Sequence, residues 1–124
     1  MARLATQTQT NALNGAFPSS STYYLALYTS DPGTTGASGE VTGGSYARQS
    51  FTFATAVSGS QASNSAVNFT GMPAEASGVP YFGIWSAATG GTYIAGGATS
   101  GLSLAISAGA TISFASGAIA NTIA

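Results

Sequence analysis

The chain has 124 residues, of which only five are charged: Arg3, Asp31, Glu40, Arg48 and Glu75. That length suits one ordinary domain, and a formal net charge of −1 excludes the basic footprint of a nucleic-acid binder. Cysteine, histidine and lysine are absent, which removes disulfides, thiolate nucleophiles, the usual general base and Schiff-base chemistry.

The three carboxylates lie in separate turns. They have neither the pairing of a glycosidase nor the clustered oxygen ligands of a calcium loop. The chain is therefore expected to be no enzyme, with no catalytic residue, no cofactor and no metal. No apolar run approaches the ~20 residues of a membrane helix, and the opening MARLATQTQTNALNGAF lacks the apolar stretch of a secretory signal. Neither nucleic acid nor membrane is an expected partner, and the cytoplasm is the expected place of assembly. Leu, Ile, Val and Phe supply only 22 residues, so six Tyr, six Phe and one Trp must fill much of the core.

In chain order, residues 1–20 stand apart as an N-terminal arm or short helix. Leu4, Ala5, Ala12 and Leu13 suit either form, with Asn14-Gly15 as a helix stop and Pro18 as a break before the first strand. From residue 22 the period is two. In TYYLALYT, Tyr23, Leu25 and Leu27 share one face and Tyr24, Ala26 and Tyr28 the other, so a central strand is expected. Asp31-Pro32-Gly33 ends it, and residues 34–44 read as loop.

Phe51, Phe53, Thr55 and Val57 alternate along the next strand, and Val67 and Phe69 share a face of a brief one at 66–70. VPYFGIWSA at 79–87 reads as a strand, with Ala87-Ala88-Thr89-Gly90-Gly91 turning into Thr92–Ala95. Leu102, Leu104 and Ile106 alternate next, Ile112 and Phe114 follow a turn, and a last strand runs through Ile119 and Ile123. Seven or eight short antiparallel strands predict an all-β fold, a small β-sandwich or jelly-roll-like single domain over residues 21–124.

Such sheets have edges, and no lysine is present to guard them. A near-neutral surface rich in Gly, Ala and Thr costs little to desolvate, which suits a subunit of an assembly. The stretch EVTGGSYARQSFTF at 40–53 brackets a glycine turn with opposite charges. Its structural reading is a latch, Arg48 reaching back to Glu40 or to loop carbonyls; its functional reading is a docking site. Tyr23, Tyr24, Tyr28, Tyr81 and Trp85 suit a sugar-stacking platform, although aromatics on alternating strands are more often core.

YLALYTSDPG at 24–33, EVTGGSYARQ at 40–49, FGIWSAATGG at 82–91 and GATISFASGAI at 109–119 resemble, in that order, a family of tailed-bacteriophage virion structural proteins. That family includes tail-fibre-like and capsid decoration (cement) proteins. The resemblance runs from around residue 12 to the end and transfers no catalytic residue. It implies a virion component, a homo-oligomer such as a trimer. The first expectation is a decoration protein bound to the major capsid protein and stabilising the outer head shell. Residues 1–17, with Arg3, Leu4, Leu13 and Phe17, would then serve as an assembly arm. The alternatives are a tail-fibre or tail-tip protein that joins tail proteins and contacts host surface glycans, and a bacterial carbohydrate-binding or adhesive module.

Overall fold

The computed structural model describes residues 5–122. It contains one helix, α1 (Thr6–Ala16), and eight strands: β1 (Tyr23–Tyr28), β2 (Gln49–Phe51), β3 (Ser60–Ala62), β4 (Val67–Phe69), β5 (Tyr81–Trp85), β6 (Tyr93–Ala98), β7 (Ile112–Phe114) and β8 (Ala120–Thr122). The strands form a four-stranded sheet in the order β2-β1-β5-β6 and two two-stranded sheets, β3-β8 and β4-β7. The chain is thus all-β apart from its short N-terminal helix. Ile123, expected in the last strand, lies outside the described residues, as do Arg3 and Leu4 of the expected arm.

Contacts divide the chain into two compact units, one of residues 5–22, 51–67 and 114–122, the other of residues 23–50 and 68–113. In the second unit, β1 is central because both of its faces are apolar. Leu25, Ala26, Leu27 and Tyr28 are all fully buried. β1 runs antiparallel to β5, with Tyr24 opposite Trp85 and Tyr28 opposite Tyr81. The predicted turn at 87–91 joins β5 to β6, which are also antiparallel. Val41, Phe69, Met72, Val79 and Ile84 complete this core.

In the first unit, α1 packs on β3 and buries Leu13. Phe51, Phe53, Ala56 and Ile119 are buried in the same unit. Phe53 meets Phe51 and Phe17 edge to face, at 5.0 and 5.3 Å between ring centroids, a favoured aromatic geometry.

Three elements differ from the sequence expectation. The helix does not stop at Asn14-Gly15: it runs to Ala16, where Phe17 N–H donates to Leu13 O at 2.7 Å. Pro18, which disfavours the helical region at the residue before it, marks the end instead. The strand expected over Phe51, Phe53, Thr55 and Val57 is regular only to Phe51, with Phe53 and Val57 in single-residue bridges. Beyond Val57, Ser58 and Gly59 both take positive φ, at 50° and 74°, and fold the chain into a two-residue turn before β3. Val57, at the start of that turn, is exposed. The Leu102–Ile106 alternation forms no strand: Val79 N–H reaches Leu102 O, Glu75 and Ile106 exchange hydrogen bonds, and Leu104 between them is 74% exposed.

Candidate functional site

The structure brings Glu40 and Arg48 together. Arg48 meets the carboxylate fork to fork, Nε to Oε2 at 3.0 Å and Nη2 to Oε1 at 2.9 Å. Its third nitrogen, Nη1, donates to two carbonyls of the turn after β5, Ala87 O at 3.1 Å and Gly90 O at 2.9 Å. The two side chains are 10% and 24% exposed. The planar guanidinium suits this role, because its fixed donors serve a carboxylate and a carbonyl pair at once.

Two aromatic systems hold the pair. The Arg48 guanidinium carbon sits 3.9 Å from the ring centroid of Trp85, a cation–π contact. Trp85 Nε1–H donates to the Tyr28 hydroxyl at 3.0 Å, and that hydroxyl donates to Gly36 O at 3.0 Å. A bulge between β5 and β6 sets Tyr93, rather than Ile94, opposite Trp85. The Tyr93 ring therefore stands edge-on to the indole at 5.5 Å, and its hydroxyl donates to Gly33 O at 3.2 Å.

On the other side, the Tyr46 hydroxyl donates to Glu40 Oε2 at 2.9 Å and accepts Leu27 N–H at 3.0 Å. The Tyr46 ring stacks on Phe69, 5.9 Å between centroids and 5° from parallel.

Glycine makes this packing possible at two points. Gly36 takes φ +64°, and a Cβ there would collide with the Tyr93 ring. Gly83 needs no unusual φ, but a Cβ would lie 2.7 Å from the Tyr28 ring.

Protonation follows the same geometry. Burial pushes the Tyr46 hydroxyl well above the usual tyrosine range, and the neighbouring Glu40 charge pushes it further. Burial likewise raises Tyr28 and Tyr93, the latter helped by Asp31. The hydrogen bond to Glu40 raises Arg48, outweighing its partial burial. Glu40 thus has both oxygens occupied, by one arginine and one protonated tyrosine. A groove of about 450 Å³ opens beside the pair, bordered by Thr42, Gly43, Thr89 and Gly90.

A protein-family model described as podophage GP4 fiber I protein gp80 matches residues 3–122. The chain belongs to that family. It is therefore a tailed-phage virion structural protein, and the four quoted motifs fall within the matched span. No individual curated protein matches it.

Within this fibre-family chain the other sequence-selected residues are placed as follows. Leu13 is 3% exposed and Phe17 half-buried, both packed inside the first unit. Tyr23 and Tyr28 are buried, and Arg48 lies over Trp85, so three of the five platform aromatics are already covered. Sequence reasoning missed a set of amide and hydroxyl side chains that clasp backbone in the first unit. Asn14 Oδ1 accepts Ala56 N–H and Thr10 Oγ1 accepts Gly59 N–H, each at 2.9 Å. Gln61 Nε2 donates to Phe17 O at 2.7 Å and Ala54 O at 3.1 Å. Ser63 Oγ accepts from Gly117 and Ile119. Residue type alone carries no sign of such partners.

Proposed function

We propose that the chain is a non-catalytic building block of the fibre on a podophage tail, present in several copies and joined to other tail proteins. The family match across residues 3–122 carries this reading. Two properties support it: the lack of histidine, lysine and cysteine for chemistry, and a loop held rigid by a charge pair whose groups are engaged with each other. A host surface glycan is the ligand class that such a fibre would meet. The groove beside Glu40 and Arg48 is a concave surface open to it.

We favour the fibre over decoration of the head shell, the first expectation from sequence, because the family description names a fibre. Immunogold labelling of purified particles with an antibody to this chain tests the choice. Gold confined to the tail, with few copies per particle by quantitative mass spectrometry, supports the fibre. Gold over the whole head in high copy number overturns it and restores decoration.

A further inference from the structure

β6 is the outer strand of the four-stranded sheet, bonded among the described strands to β5 alone. Its register pairs Tyr81 with Ala98, Phe82 with Gly97, Gly83 with Gly96 and Ile84 with Ala95. One residue further on, Thr99 N–H donates to Pro80 O at 2.8 Å. Hydrogen-bonded and non-bonded pairs alternate along an antiparallel ladder. Thr99, Gly97 and Ala95 therefore bond to β5, while Gly96 and Ala98 turn their N–H and C=O groups away from it. Both residues are exposed.

Natural proteins blunt such an edge with lysine, proline, a bulge or a cover. Over Ala95–Thr99 there is no charge and no proline, and the bulge lies beyond, at Ile84/Trp85. From this geometry we infer that the β6 edge pairs with β6 of a second copy, antiparallel about a two-fold axis at Gly97. Gly96 of one copy then bonds Ala98 of the other and the reverse, giving roughly four new backbone hydrogen bonds.

A second copy is the fitting occupant because the run is self-complementary. Gly97 faces Gly97 across the closely spaced non-bonded position, where no side chains collide. The flanking residues are alanine, glycine and threonine. No charged residue lies along Ala95–Thr99 to select a different strand. The inference deepens the fibre reading, since it names the surface through which copies join and relies on that reading for their high local concentration.

The test uses the whole chain, which has no cysteine of its own. Gly97→Cys places one thiol on the two-fold axis, whereas Ala98→Cys points its thiol to the opposite face. The expected result is a disulfide-linked dimer from Gly97→Cys under mild oxidation and little from Ala98→Cys. A Cβ at 97 lies 3.3 Å from the Phe82 ring, so a second measurement stands beside it. By sedimentation equilibrium the unmodified chain is expected to dimerise at high concentration. Ala98→Pro, which removes an outward N–H and no β5 bond, returns it to 12.1 kDa with an unchanged melting temperature. Equal cross-linking of the two cysteine variants, a trimer, or a monomer at every concentration overturns the inference. None of these outcomes bears on where gold falls on the particle, so the two readings fail separately.

Discussion

The two compact units are held together by different chemistry. All six tyrosines, the tryptophan and four of the five charges belong to the unit of residues 23–50 and 68–113. The described part of the other unit has phenylalanine as its only aromatic and no ionisable side chain. Its loops are tied by Thr10, Asn14, Gln61 and Ser63 to backbone groups. One unit therefore adds a caged ion pair to its neutral hydrogen bonds, and the other, among its described residues, relies on neutral hydrogen bonds alone. A neutral bond contributes about 1 kcal/mol each, so losing one is tolerable. A partly buried ion pair behaves otherwise, since removing one partner leaves a charge with nothing to balance it.

Arg48→Ala should accordingly have the largest effect. It strands Glu40, frees two carbonyls of the β5–β6 turn and uncovers Trp85. The expected loss is about 3 kcal/mol, seen as a fall of about 10 °C in melting temperature. Arg48→Lys should recover little, because an ammonium cannot make the fork. A shift of only a degree or two would mean that the pair behaves as an ordinary surface bridge. Gly36→Ala comes next, combining a strained positive φ with a collision against Tyr93. It should cost about 2 kcal/mol in denaturant unfolding. A neutral result would mean that Tyr93 moves aside at no cost and is not part of the cage.

The contrast also explains what could be read from the sequence. Glu40 and Arg48 stood out because charges are so rare that two near one glycine turn invited pairing. The central place of β1 and the β5–β6 turn were legible from period-two alternation and from Gly90-Gly91. The Asn14 contact was not: Asn14-Gly15 has the local signature of a helix stop, yet Asn14 bonds a residue 42 positions away. Likewise, SQA at 60–62 has no apolar pattern and becomes a strand because β8 supplies its ladder. The Arg48–Trp85 contact depends on where the sheet brings residue 85, which spacing along the chain does not encode.

Asn14→Ala probes the neutral unit with a smaller expected effect. It leaves Ala56 N–H without its acceptor, a loss of about 1–3 kcal/mol if water cannot replace it. Alanine's better helix propensity offsets about 0.5 kcal/mol of that. A net loss of about 1.5 kcal/mol by chemical denaturation is expected, and it should not change with salt, because no charge is involved. A salt-dependent deficit for Asn14→Ala would show that the two units are not chemically distinct in the way their compositions imply.

The smallest effect is also the most selective, because only one unit has groups that titrate in alkali among the described residues. Tyr46 is held protonated in the fold by burial and by Glu40, with its pKa raised above the ordinary value of 10.0. Below about pH 10 the folded and unfolded chains carry the same proton, so stability is undiminished. Above it the unfolded chain releases the proton while the folded chain keeps it. The native state then binds more protons, and stability falls as pH rises towards the folded pKa. One unit above the unfolded value this amounts to about 1 kcal/mol for Tyr46, and Tyr28 and Tyr93 add to it in the same direction. Tyr46→Phe should be less stable than the unmodified chain at neutral pH because Leu27 N–H loses its acceptor. It carries no proton to lose, so its deficit should narrow by about 1 kcal/mol between neutral pH and about pH 11. Melting curves of both chains across that range measure the narrowing. A deficit that stays constant would mean that Tyr46 ionises in the fold as readily as outside it, and the Glu40 cage would then be open to solvent rather than closed around its ion pair.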